Sequence, residues 1–151
     1  MNLNEQTEQL LETSCWVIDP LPCQVPADGE GQFFAAEQYW LAPPRMAELR
    51  AHFFQILLKL NCYYDLYVFS PSEDTMVRNP DPASFASRML LDSSEFNILI
   101  PSQDSLITLR SGDLNLTVYH PSEQMLPLLT RLVAAEGLFF WNPESGDRFL
   151  K

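Results

Sequence analysis

Lysine is almost missing from this chain: of nine basic residues only Lys59 and Lys151 are lysines, and no base of either kind precedes Arg45. Across that base-free opening stand seven carboxylates, Glu5, Glu8, Glu12, Asp19, Asp28, Glu30 and Glu37, which supply −7 of the formal net charge of −11 at pH 7. So little positive charge cannot hold a phosphate backbone over several contacts, which sets nucleic acid aside as a partner. The same field repels an anionic bilayer. Glycine is scarce too: the five present fall into no GxGxxG, GxxxxGK[ST] or GxSxG pattern, which argues against the common nucleotide-binding and α/β-hydrolase families. Two histidines and three cysteines, Cys15, Cys23 and Cys62, offer no metal-ligand spacing. The expectation is therefore no metal and no cofactor. An odd number of thiols fits a reducing compartment. No apolar run is long enough to span a bilayer, and no basic start leads into one, so the chain reads as cytoplasmic, without signal peptide or membrane partner.

What is abundant is aromatic: ten Phe, five Tyr and three Trp in 151 residues, with 46% apolar residues overall. That is enough to bury one core and too much for a disordered chain. A single domain, 1–151, is expected, with an irregular polar tail at 142–151. Apolar residues at steps of three and four, Met46, Leu49, Phe53, Ile56, Leu57 and Leu60, predict a helix over 43–60, entered through Pro43 and Pro44. A second main helix is expected at about 122–136, with Leu128, Leu129, Leu132 and Val133 inward, Gly137 as its C′ residue, and a kink or late start forced by Pro127. Shorter helices are read near 4–13 and 82–91. Strand-like runs occur at 15–18, 32–41, 63–69, 96–100, 106–110, 114–119 and 138–141, the three between 96 and 119 close enough for a meander. The fold class is α+β: a mixed, mainly antiparallel sheet of about five to seven strands, closed by a strand-helix-strand crossover. Residues 70–82 read as a long surface loop.

Chemistry has thin support. His52 lies four residues after Glu48 on the long helix, where a carboxylate could orient the imidazole, and His120 stands at a strand-to-helix junction. A small hydrolase or metal-dependent enzyme built on either histidine with nearby acids is the alternative reading, and no residue is assigned as catalytic. Cys15 and Cys62 read as small core residues, Cys23 as the exposed thiol. The aromatics Tyr63, Tyr64, Tyr67 and Phe69 fit a half-buried strand better than a base-stacking platform.

The charge asymmetry points elsewhere. A field of one sign attracts basic surfaces, speeds encounter and penalises wrong partners. The expected role is a protein-binding module engaging a basic protein partner, as inhibitor, immunity-like protein or adaptor. The contact residues are expected to be Asp19, Asp28, Glu30 and Glu37 with Tyr39 and Trp40, since rigid aromatics flanked by charge dominate many interfaces. A structural homo-oligomer is a further alternative, resting on the aromatic load alone.

Overall fold

In the computed structural model, which describes residues 2–73, 75–91 and 94–144, the chain runs α1 (Leu3–Leu10), β1 (Cys15–Asp19), α2 (Gln32–Leu41), α3 (Pro43–Asn61), β2 (Tyr67–Phe69), β3 (Val77–Arg78), α4 (Pro82–Met89), β4 (Phe96–Ile100), β5 (Ser105–Leu109), β6 (Leu116–Tyr119), α5 (Met125–Ala135) and β7 (Phe139–Trp141). The strands form one seven-stranded sheet in the order β3-β2-β4-β5-β6-β1-β7, every pairing antiparallel. The fold is α+β, as the periodicities imply. Most of the expected tail, 145–151, lies outside the described residues. No helix among them is long and apolar enough to cross a membrane.

The core lies where α3, α4 and α5 cover one face of the sheet. Met46, Leu49, Phe53, Ile56, Leu57 and Leu60, the stripe read from the sequence, are all buried there against Ile98, Ile107, Leu116, Val118 and Ile18. A smaller apolar cluster on the opposite face joins Leu10 of α1 to Leu99 and Leu106. Local chemistry sets the helix ends. Asn2 Oδ1 accepts from the Glu5 N–H at 2.8 Å and Asp81 Oδ2 from the Ser84 N–H at 3.0 Å, each satisfying a donor that the first turn leaves orphaned. Pro127 falls in the first turn of α5, where its missing N–H costs nothing, so the helix starts late and is not kinked by it. Gly137 sits at φ 73°, and the Leu138 and Gly137 N–H groups bond back to Val133 and Ala134, closing α5 in a Schellman turn.

Arg50 is fully buried in α3. Its Nη1 donates to the Met89 and Leu91 carbonyls at 3.2 and 2.7 Å, its Nη2 to the Ser94 carbonyl at 3.0 Å. These include the open carbonyls at the end of α4, so the guanidinium both satisfies them and neutralises the negative end of that helix. It ties α3 to the turn that feeds β4.

Several expectations need correction. Residues 32–41, read as a strand from Phe33, Phe34, Tyr39 and Trp40, form α2. Both hydrogen-bonding sides of the preceding strand β1 are taken by β6 and β7, while Ala35, Ala36, Glu37 and Gln38 favour helix, so tertiary context overrides the aromatic preference for strands. The strand read at 63–69 begins only at Tyr67, because 63–66 turns out of α3. The loop at 70–82 contains the two-residue strand β3. The crossover at the end exists: α5 links β6 to β7, but the pair flanks β1 and does not pair directly. Cys62, expected in the core, is exposed at the end of α3, and Cys23, expected to be exposed, is half-buried.

Two substitutions test this account by urea denaturation. Arg50→Ala should cost about 3 kcal/mol or more, since a cavity and carbonyls without their donor are left together. Gly137→Ala should cost about 1 kcal/mol through the positive φ alone.

Candidate functional site

Asp19 ends β1, and its Oδ1 accepts the Leu21 N–H at 2.7 Å, so the chain turns sharply into the loop 20–31. At the far end of that loop Gly31 adopts φ 95°, a conformation costly for any side chain, and Gln32 Oε1 accepts the Glu30 N–H at 2.7 Å. The loop thus leaves the sheet and returns as α2. Between loop and helix lies an apolar groove of about 410 Å³, walled by Leu21, Val25, Pro26 and Ala27 on one side and by Phe33, Phe34, Ala36 and Trp40 on the other.

The groove opens into a second depression of about 350 Å³ that shares Leu21, Val25, Phe33 and Trp40 and adds Asp19, Cys23, Glu37, Asp113, Asn115 and Trp141. Register explains the assembly: Ile18 pairs with Leu116, which puts Asp19 beside Asn115, and Val17 pairs with Trp141 across the other edge of β1. Three carboxylates from three elements therefore converge on one cleft. Burial pushes the Asp19 carboxyl above its ordinary range against the pull of the Leu21 N–H and the Asn115 side chain. Asp113, exposed as a residue, is raised as well, first by the partial desolvation of its carboxyl; nearby Arg110 lowers it, and Glu95 and Glu37 raise it further. The indole N–H of Trp141 is buried and has no acceptor among the described residues.

The wall that α2 provides is unusual in its packing. None of its ten residues is buried; Trp40 and Leu41 reach the main core in part, whereas Phe33 is 38% and Phe34 64% exposed. A helix without a buried face draws little stability from its own fold. Tyr39 faces away from the groove. The Arg45 guanidinium lies 3.8 Å from its ring centroid, and Arg45 Nε donates to the Tyr39 carbonyl at 2.6 Å.

Of the six contact residues expected from the sequence, the fold brings Asp19, Glu37 and Trp40 together in the cleft. Tyr39 lines a separate depression on the other side of Trp40, with Glu48, His52 and Glu136. Asp28 and Glu30 are exposed on the loop beside the groove and do not line it. Asp113, Asn115, Trp141 and the groove faces of Phe33 and Phe34 were not legible as site residues: the first three join only through strand pairing, and the two phenylalanines only once 32–41 is a helix.

The histidines are placed by contacts other than those their spacing suggests. His52, 51% exposed, bonds through Nδ1 to Glu136 Oε1 at 2.9 Å, not to Glu48, and Lys59 Nζ takes the other Glu136 oxygen at 3.3 Å. Burial pulls the Glu136 carboxyl up, but those two bonds outweigh it and hold it below its usual range. His120 Nδ1 contacts the Asp104 carbonyl at 2.8 Å. Among the described residues no three His, Cys, Asp or Glu side chains converge as metal ligands.

Ion pairs among the described residues join Glu136 to His52 and Lys59, Asp65 to Arg78, Glu73 to Arg88 and Asp104 to His120. None involves the seven carboxylates that precede Arg45.

A raised carboxyl destabilises the fold in its ionised form, so the stability it contributes is present below its unfolded pKa of about 3.9 and lost as pH rises through the folded value. Asp19→Asn keeps an acceptor for Leu21 and removes the buried charge. Its melting temperature should exceed that of the unaltered chain at neutral pH and converge with it near a pH of about 3. Glu136→Gln should do the reverse, losing stability at neutral pH and progressively less as acid protonates the native carboxylate. Thermal unfolding followed by circular dichroism reads both.

No family model matches the chain, and no curated protein or solved structure is significantly similar to it.

Proposed function

We propose that this chain is a protein-binding module whose groove and acidic cleft engage a basic surface of another protein, in an inhibitory, immunity-like or adaptor role. The observation that carries the reading is α2: a ten-residue helix with four aromatics and no buried residue, walling an apolar groove that runs into a cleft with three carboxylates. Apolar side chains left half in water are covered when a partner docks, and that burial is the main favourable term in association. The charge gives direction to it. Arg45, Arg78, Arg88 and Arg110 are engaged by Tyr39, Asp65, Glu73 and Asn97 respectively, and among the described residues no ion pair engages the carboxylates of the first forty-four residues, which suits them to act on other molecules, where complementary charge raises on-rates and specificity.

The hydrolytic alternative draws on one observation, the imidazole of His52 held by Glu136 in a depression that also contains Glu48. It gives no role to the groove, the cleft or the charge, and ranks second for that reason.

The test compares two baits in affinity capture, the unaltered chain and a variant carrying Asp19→Asn, Glu37→Gln and Asp113→Asn. The unaltered chain should retain basic proteins that raised salt releases, and the variant should lose most of them. A retained set that is indifferent both to salt and to the three substitutions refutes the reading.

A further inference from the structure

We infer that the occupant of the cleft is an extended segment of a basic protein chain, seating one large apolar side chain in the groove and an adjacent lysine or arginine among Asp19, Glu37 and Asp113. The inference rests on the docking role proposed above and specifies what is docked.

Shape favours a single strand of chain. Groove and cleft share Leu21, Val25, Phe33 and Trp40 as a common wall, so neighbouring side chains of one segment can fill both. In an extended chain, residues two apart point the same way and stand about 7 Å from each other, a spacing suited to adjoining subsites. Chemistry distinguishes the two ends: the groove is walled mainly by aliphatic and aromatic side chains, and the cleft adds to such a wall three carboxylates, from β1, α2 and the turn between β5 and β6. The chain's own base nearest that turn, Arg110, offsets part of the Asp113 charge through space but spends its hydrogen bonds on the Phe96 carbonyl at 3.2 Å and Asn97 Oδ1 at 2.9 Å, while Glu95 and Glu37 add to the negative field there. An incoming ammonium or guanidinium is favoured over a neutral or acidic side chain at that position.

Displayed random heptapeptides panned against the intact chain test this, followed by affinities of synthetic peptides read from tryptophan fluorescence, since Trp40 and Trp141 line the cleft. Enriched peptides should pair Phe, Trp, Leu or Met with Lys or Arg within two positions. Replacing either the anchor by Ala or the base by Gln should weaken binding by about tenfold or more. Two substitutions at exposed positions separate the subsites without touching the core. Phe34→Ala should reduce the preference for the apolar anchor, and Asp113→Asn the preference for the base. Enriched peptides lacking a basic residue, or affinities unmoved by both variants, overturn the inference. If no peptide is enriched while salt-sensitive protein capture persists, the partner is recognised through its folded surface: the inference falls and the docking role stands. If neither peptides nor proteins are retained, both fall.

Discussion

The site depends on β1 being held from both sides. A five-residue strand near the start of the chain pairs with β6 along one edge and with β7 along the other, so it lies inside the sheet and not at its margin. Backbone hydrogen bonds on both edges fix its register, because a slip of one residue would turn Ile18 out of the core. With the register fixed, Asp19 must emerge beside Asn115, Trp141 must cross Val17, and the loop that follows must leave from that point. Everything in the groove and cleft is arranged around that exit.

Three of the chain's arginines, Arg45, Arg50 and Arg110, are used on its own backbone carbonyls. Arg50 closes the end of α4 from within the core, Arg45 holds the ring and carbonyl of Tyr39 near the end of α2, and Arg110 bonds to the start of β4. Such contacts stabilise helix ends and strand junctions, where unsatisfied carbonyls would otherwise cost most. Their consequence is electrostatic. Lys59, Arg78 and Arg88 pair with Glu136, Asp65 and Glu73, and among the described residues no ion pair reaches the acidic opening segment. Raised carboxyl groups at Asp19 and Asp113 mark where this arrangement is least comfortable for the isolated chain. In the docking role proposed above, a basic side chain in the cleft would relieve that cost, since an opposite charge favours the ionised carboxylate.

Much of the architecture was legible because it follows from period. The stripe from Met46 to Leu60 could only be one helix face, the runs between 96 and 119 were short, β-branched and separated by tight turns, and Gly137 stood where a helix needs a left-handed residue. The error at 32–41 is instructive in physical terms. Phe33, Phe34, Tyr39 and Trp40 fit a pleated surface, but whether a pleated surface is offered depends on which sheet edges are free, and that is decided by strands seventy and more residues later. The histidines show the same limit: His52 and Glu48 are spaced to pair, yet the carboxylate that engages the ring is Glu136, brought in by the end of α5.

By itself the sequence determined the class of the fold, the two main helices, the meander and the sign of the field, because these depend on composition and on periodicity within one element. Half of the candidate site was readable on the same terms: Asp19, Glu37 and Trp40 belong to a single acid-rich stretch that local chemistry singles out. Tertiary structure alone decided that the stretch ends in a helix and not a strand, that Asp113, Asn115 and Trp141 join it, and that Tyr39 turns away. Those placements are set by pairing between distant strands, and a strand chooses its partner through the edge it finds open, which no short window of residues specifies.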